Sequence, residues 1–146
     1  QALCKIKMNY QKKLFLGNLY SKRDWGHAKE YVEAMWLILQ QKKPDDFVIS
    51  SGQQSTVKKF VELTAKKLGI PIKWKGKGIN EKGYDSDNKV IIECDKSYHR
   101  PLEVNNLLGD SKKALKILGW RPKINLSQLI SEMIEEELNS LGINHF

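Results

Sequence analysis

Short apolar runs alternate along the chain with segments in which apolar residues recur every third or fourth position. Strand-like runs cover residues 14–16, 47–50, 72–74 and 90–94. Helical spacing of apolar residues covers residues 2–11, 27–41, 57–68, 112–118 and 126–138. This alternation predicts an α/β fold in which helices pack on a mixed or parallel sheet.

Capping residues mark the ends of several predicted helices. Either Ser55 or Thr56 is the expected N-cap of the third helix, and Asn125 is the expected N-cap of the last one. Gly69 and Gly119 follow the ends of the third and fourth helices, where glycine commonly stops a helix. The chain therefore carries local signals for where its helices begin and end.

The helix predicted over residues 27–41 is rich in apolar side chains. We expect it to be largely buried, with Met35 and Trp36 filling the core, because apolar residues at this spacing usually pack inward.

A cationic turn joins the first strand to this helix and contains Gly17, Asn18 and Arg23. Of the 25 basic residues, only Arg23, Arg100 and Arg121 are arginine. Arginine presents a planar fork of donors that suits bidentate phosphate contacts, whereas lysine is a hydrated point charge. Arg23 and Arg100 are therefore candidates for holding one diphosphate between them, the alternative being that they lie on a solvated face.

A second glycine-containing segment, residues 75–84, includes the pair Gly76 and Gly78. A dinucleotide fingerprint needs a third glycine, a helix that opens directly afterwards and an acidic residue about 20 positions further on. Because an acidic, polar turn follows instead, we interpret the segment as a flexible surface excursion.

Charge and cysteine usage exclude several classes of protein. The formal net charge is +8, but the lysines occur in pairs dispersed along the chain, which argues against a nucleic-acid interface. Cys4 and Cys94 are too few for a disulfide framework and lack neighbours at metal-ligand spacing. No apolar run approaches the roughly 20 residues of a membrane span. We expect a soluble cytoplasmic protein without a metal, a nucleic-acid partner or a membrane anchor.

The order of motifs resembles the second half of the GDP-mannose 4,6-dehydratase family, a branch of the extended short-chain dehydrogenases/reductases. The most specific match combines Lys22-Arg23-Asp24-Trp25, Trp36 and the loop around Arg100-Pro101-Leu102-Glu103. Further matches cover nearly the whole chain, at 16–19, 26–28, 31–36, 44–49, 74–78, 108–110 and 118–120. The chain departs from the family pattern at Tyr20-Ser21, where Asp-Ala is usual, and at His99 and Leu102, where Phe and Thr are usual.

This resemblance implies the C-terminal part of an extended short-chain dehydrogenase/reductase: the edge of an NAD(P)-binding Rossmann sheet plus the small α/β substrate-binding domain. The family oxidises GDP-mannose at C4 with NADP, eliminates water across C5 and C6, and returns the hydride to C6. The family's glycine-rich cofactor turn and its Tyr-x-x-x-Lys base belong to the N-terminal half, which we find absent from residues 1–146. The chain begins at Gln1 inside a predicted helix, so we expect it to be part of a longer protein. From the resemblance, we expect the full-length parent to be a homo-oligomer.

The resemblance also assigns roles to residues of this chain. Arg23 and Arg100 would neutralise the GDP diphosphate, and Glu103 would accept a hydrogen bond from a ribose hydroxyl or the guanine edge, or else pair with Arg100. The backbone of Gly17 and Asn18 is a further candidate contact, because α/β folds place ligands at strand ends. No catalytic residue is assigned to this half.

Asp24 is expected to be either an ion partner that orients Arg23 or a helix N-cap. The competing hypothesis for the whole chain is a free-standing, non-catalytic nucleotide-sugar or basic binding module. If the chain is a fragment, its unpaired strand edge and uncovered apolar face predict marginal solubility in isolation.

Overall fold

The computed structural model describes residues 1–98, 104 and 106–143 of the chain. The helices are α1 (Ala2–Lys7), α2 (Ala28–Leu39), α3 (Val57–Lys67), α4 (Lys112–Leu118) and α5 (Leu126–Ser140). The strands are β1 (Leu14–Leu16), β2 (Lys22–Asp24), β3 (Gln54–Thr56), β4 (Lys73–Lys75), β5 (Lys82–Tyr84) and β6 (Val90–Cys94). Single turns of 3₁₀ helix span Gly78–Asn80 and Lys96–Tyr98. Within the described residues, no helix has the length and apolar character needed to cross a bilayer.

The main sheet is mixed, one of the two alternatives left open by the sequence, with four strands in the order β1-β6-β5-β4. Strands β1 and β6 are parallel, with Leu16 opposite Cys94, so both strands end at the same edge of the sheet. The pairs β5–β6 and β4–β5 are antiparallel. A separate antiparallel pair joins β2 to β3, with Arg23 opposite Ser55.

Two apolar clusters hold these elements together. The larger one packs α1, α3 and α5 against β6, whose Ile92 is fully buried. The smaller one contains Ala34 of α2, Ala114 of α4 and Trp120. The Trp120 indole N–H donates to the Glu30 carbonyl at 2.9 Å, which fixes the chain after α4 against α2.

The predicted caps are confirmed. Thr56 accepts a hydrogen bond from the Lys59 N–H at 3.0 Å at the start of α3. Asn125 and Gln128 form a reciprocal capping box at the start of α5. Gly119 ends α4 in the left-handed region at φ +68°, where a side chain would be strained.

The prediction that α2 is largely buried is wrong. Only Glu30 and Ala34 of this helix are buried. The opposite side of the helix is an α2 apolar stripe, formed by four residues that are each more than half exposed: Val32, Met35, Trp36 and Leu39. Periodicity reports that a helix has apolar sides, but the number of neighbours available to cover them depends on the rest of the fold.

The predicted strand over residues 47–50 pairs with no strand among the described residues. Its Val48 is more than half exposed, while Ser50 is buried against Gly109. An apolar run reports strand propensity, whereas a sheet also requires a neighbouring strand with free hydrogen-bonding groups.

Residues 75–84 are more ordered than the sequence analysis predicts. They form the end of β4, a 3₁₀ turn and β5, and Glu81 and Gly83 within them are buried. A Cβ placed on Gly83 would lie 3.1 Å from the Ile92 side chain, so this glycine permits close packing of β5 on β6.

Truncating the centre of the larger cluster tests this account of the core. Ile92→Ala removes a fully buried side chain, and we expect it to lower the free energy of unfolding by about 2–5 kcal/mol. Ile117→Ala, at a half-exposed position on α4, is the matched control and should cost less than about 1 kcal/mol. Equal losses in urea titrations of both variants would contradict the placement of Ile92 at the core.

Candidate functional site

The turn between β1 and β2 is held in place by the beginning of α3. The Lys58 N–H donates to the Leu19 carbonyl at 2.8 Å, and the Val57 N–H donates to the Ser21 carbonyl at 3.1 Å. Leu19 and Ser21 are both fully buried. The first N–H groups of a helix have no partner within the helix, so the turn and the helix satisfy each other.

The two predicted backbone contacts, Gly17 and Asn18, lie at the carboxyl edge of the parallel β1–β6 pair. Here the Asp95 N–H donates to the Leu16 carbonyl at 2.8 Å. A Cβ on Gly17 would lie only 2.4 Å from the Tyr98 carbonyl oxygen, so this position requires glycine. The Asn18 side-chain oxygen accepts from the Tyr20 N–H at 2.9 Å, which stiffens the turn.

Arg23 contacts the end of the loop that carries the second predicted arginine. Its Nη1 donates to the Lys22 carbonyl at 2.8 Å and to the Val104 carbonyl at 2.9 Å. Lys22 forms an isolated parallel bridge with Asn106, so the chain after this loop runs beside β2.

Arg100 and Glu103, together with His99 and Leu102, lie outside the described residues. The described residues on either side of them contact the cationic turn, Tyr98 through Gly17 and Val104 through Arg23. The predicted roles of Arg100 and Glu103 remain predictions.

Asp24 does not cap α2. The N-cap is His27, whose Nδ1 accepts from the Lys29 N–H at 3.1 Å. The two Asp24 carboxylate oxygens accept from the Ser51 and Gly52 N–H groups, both at 2.9 Å. Asp24 therefore ties the strand that carries Arg23 to the chain just before β3.

Sequence analysis missed a polar cluster centred on Glu81, because it assigned this residue to a surface excursion. Glu81 is 4% exposed. Its two oxygens accept from the Lys58 ammonium at 2.6 Å and from the Tyr20 hydroxyl at 2.5 Å. The Lys58 ammonium also lies 4.6 Å from the centre of the Trp74 ring. The cluster joins the cationic turn, α3 and β5.

Opposing effects set the charges in this cluster. Burial tends to raise the pKa of Glu81, but the hydrogen bonds from Lys58 and Tyr20 outweigh it and leave that pKa below its ordinary value of 4.5. Burial tends to lower the pKa of Lys58, but hydrogen bonding to Glu81 and the charge of Glu81 raise it above 10.5. The pair is therefore an ion pair at neutral pH.

A cleft of about 330 Å³ opens beside Arg23. Its other walls come from β2, α2, the chain after residue 47 and the chain before α4, among them Tyr31, Val48 and Leu108. Arg23 and Asp24 both line this largely apolar cleft, and the Arg23 guanidinium could contact an anionic group of a ligand there. Among the described residues, no group of three or more His, Cys, Asp or Glu side chains could hold a metal ion.

Comparison with known proteins decides the family. Residues 1–133 match the family model described as GDP-mannose 4,6 dehydratase. The chain belongs to this family. It is 46% identical over 138 residues to GDP-mannose 4,6 dehydratase 2 of Caenorhabditis elegans, covering 94% of this chain and 36% of the relative. It is 48% identical over 126 residues to GDP-mannose 4,6 dehydratase of Dictyostelium discoideum, covering 86% of this chain and 35% of the relative. The chain thus spans little more than a third of these relatives.

Solved structures of other proteins share the fold. RMD from Pseudomonas aeruginosa, solved with NADPH, superposes with a TM-score of 0.72 at 17% identity. The match covers 94% of this chain and 40% of the RMD chain. dTDP-glucose 4,6-dehydratase from Bacillus anthracis, solved with NAD, superposes with a TM-score of 0.71 at 17% identity. The match covers 97% of this chain and 39% of the B. anthracis chain. The predicted fold class, the C-terminal part of an extended short-chain dehydrogenase/reductase, is confirmed.

The charges of the Glu81 cluster predict how stability depends on pH. A carboxyl whose pKa is lowered on folding stabilises the fold above its ordinary pKa of 4.5 and loses that contribution as the pH falls through the folded value. Glu81→Gln should therefore show a shallower loss of stability in acid. It should also be less stable at neutral pH by about 1–3 kcal/mol, because the Lys58 ammonium loses its charged partner.

Urea unfolding between about pH 3 and about pH 8 measures both effects. Glu136→Gln, at an exposed position on α5, is the matched control and should follow the original chain. A Glu81→Gln curve parallel to that of the original chain would show that Glu81 does not carry this contribution.

Proposed function

We propose that this chain is the nucleotide-sugar-binding part of a GDP-mannose 4,6-dehydratase, which converts GDP-mannose to GDP-4-dehydro-6-deoxy-mannose and water. In this proposal Arg23 and Arg100 hold the GDP diphosphate, and Glu103 accepts from a ribose hydroxyl or the guanine edge. The backbone of Gly17 and Asn18 contributes further contacts. The contact of Arg23 with Val104 is the single observation that carries the proposal.

Chain geometry supports a diphosphate shared by the two arginines. The Val104 carbonyl is held by Arg23, and the Tyr98 carbonyl lies against Gly17, so both sides of the loop are attached to one turn. Arg100 is two residues from Tyr98, and two residues of chain span at most about 7 Å. We propose that this short tether lets Arg100 reach a ligand that Arg23 also binds.

The chemistry of the reaction belongs to the part of the enzyme that these residues do not supply. NADP, when bound, removes a hydride from the sugar and returns it, acting as both oxidant and reductant. The described residues offer neither a glycine-rich turn that opens a helix nor a placed acid and base pair, so we assign no catalytic residue here. We propose that the dinucleotide-binding half holds NADP and the catalytic groups.

The α2 apolar stripe supports such a second half. Its residues are spaced as one face of a helix, and a face of this kind needs a partner to leave water. Residues 47–50 lie nearby along the chain and show strand composition without a paired strand. We propose that both pack on the Rossmann sheet of the dinucleotide-binding half, and marginal solubility of the isolated chain remains our expectation.

Location and assembly belong to the same proposal. We place the protein in the cytoplasm, and the free thiols of Cys4 and Cys94 support a reducing compartment. We further propose that the complete enzyme is a homo-oligomer.

Replacing the first arginine tests the diphosphate contact. We expect Arg23→Lys to weaken binding of GDP-mannose by about tenfold, because lysine cannot form the bidentate contact. Arg121→Lys, at an exposed position, is the matched control and should bind as the original chain does. Calorimetric titration measures both affinities, and an unchanged affinity in Arg23→Lys counts against the proposal.

Complementation tests the need for a second half. The chain is co-expressed with the N-terminal portion of the C. elegans relative that precedes its match, and NADP-dependent conversion of GDP-mannose is assayed. We expect activity from the pair and none from either part. Trp36→Glu should abolish complementation while leaving GDP-mannose binding intact, because Trp36 lies in the stripe and not in the turn. A stable pair that binds GDP-mannose without converting it would favour the non-catalytic binding module.

A further inference from the structure

Tyr20 occupies the middle of the cationic turn, between the predicted backbone contacts and Arg23. Half of this residue is exposed, although the turn residues on either side of it, Leu19 and Ser21, are fully buried. Gly17 and Asn18 are partly buried, so Tyr20 is the most exposed of the five residues between β1 and β2.

Tyr20 is held in place through both its side chain and its backbone. The side-chain hydroxyl donates to Glu81 at 2.5 Å, and the backbone N–H donates to the Asn18 side chain at 2.9 Å. Glu81 is itself fixed by Lys58, whose ammonium lies 5.7 Å from the centre of the Tyr20 ring. A ring held in this way loses little conformational freedom when a ligand stacks on it.

The Tyr20 side chain lies near the carboxyl edge of the β1–β6 pair. Glu81 directly precedes β5, which pairs with β6. Lys82, which follows Glu81, lies opposite Glu93 of β6, so Glu81 lies beside the end of that strand at Cys94. This is the edge at which Gly17 contacts Tyr98.

We propose that the ring of Tyr20 stacks on the purine base of the nucleotide whose diphosphate Arg23 binds, and that Glu81 is a positioning residue which fixes the ring. The proposal rests on the proposed function, because it uses Arg23 as the diphosphate site. Tyr20 precedes Arg23 by three residues, which span at most about 10 Å, a separation suited to the base and diphosphate of one nucleotide. Stacking on an aromatic ring contributes to base binding without a specific hydrogen bond.

Comparing GDP with inorganic pyrophosphate separates the base from the diphosphate. Calorimetric titrations of the 146-residue chain with each ligand are repeated for Tyr20→Ala, Tyr20→Leu, Tyr20→Trp and Arg23→Lys. We expect Tyr20→Ala and Tyr20→Leu to weaken GDP binding by about tenfold and to leave pyrophosphate binding unchanged. Tyr20→Trp should retain most of the GDP affinity, and Arg23→Lys should weaken both ligands.

Glu81→Gln tests the positioning role through the same comparison of GDP affinity with pyrophosphate affinity. The amide oxygen can still accept from the Tyr20 hydroxyl, but the Lys58 ammonium loses its charged partner. We expect a loss of GDP affinity smaller than that of Tyr20→Ala, with pyrophosphate binding unchanged. A merely structural role would weaken both ligands together and would overturn the positioning assignment.

The outcomes distinguish this inference from the proposed function. GDP affinity that is unchanged in both Tyr20→Ala and Tyr20→Leu, or that falls in step with pyrophosphate affinity, overturns the stacking proposal. If Arg23→Lys leaves pyrophosphate binding unchanged while Tyr20→Leu still weakens GDP, the diphosphate site is wrong and the stacking stands. If the original chain binds neither ligand, both are overturned.

Discussion

The candidate site depends on two backbone hydrogen bonds between the first turn of α3 and the turn that follows β1. The N–H groups of Val57 and Lys58 would be unsatisfied within their own helix, and they find the carbonyls of Ser21 and Leu19. This arrangement pairs the backbone carbonyls of the two buried turn residues and fixes Tyr20 relative to α3. The position of the turn therefore depends on where α3 begins.

The same helix also brings electrostatic support to the turn. Lys58 extends from the first turn of α3 to Glu81, and Glu81 in turn receives the hydroxyl of Tyr20. A carboxylate as buried as Glu81 would be costly alone, and its two donors make it tolerable. The glycine-containing hairpin of β4 and β5 therefore supports the cationic turn through Glu81.

The features that the sequence predicted correctly are mostly local. Thr56 and Asn125 cap helices through hydrogen bonds to residues three positions away, so a short stretch of sequence contains the whole interaction. The burial of Glu81 was missed because its partners lie 23 and 61 residues away. The exposure of Trp36 was missed because apolar spacing shows what a helix can bury and not what is present to cover it.

The sequence likewise indicated one contact of the candidate site and not the other. The position of Gly17 beside the loop that carries Arg100 follows from parallel pairing of β1 with β6, which an α/β pattern implies. The link from Arg23 to Val104 spans 81 residues and has no local signature. Resemblance to a family indicated that these two segments act together, and the geometry supplies the physical connection.

The measurement that tests this account most directly is a crystal structure of the chain with GDP bound. The account predicts that the guanidinium groups of Arg23 and Arg100 both lie within hydrogen-bonding distance of the diphosphate oxygens. A diphosphate bound away from Arg23, or one contacted by Arg23 while Arg100 points elsewhere, would contradict it.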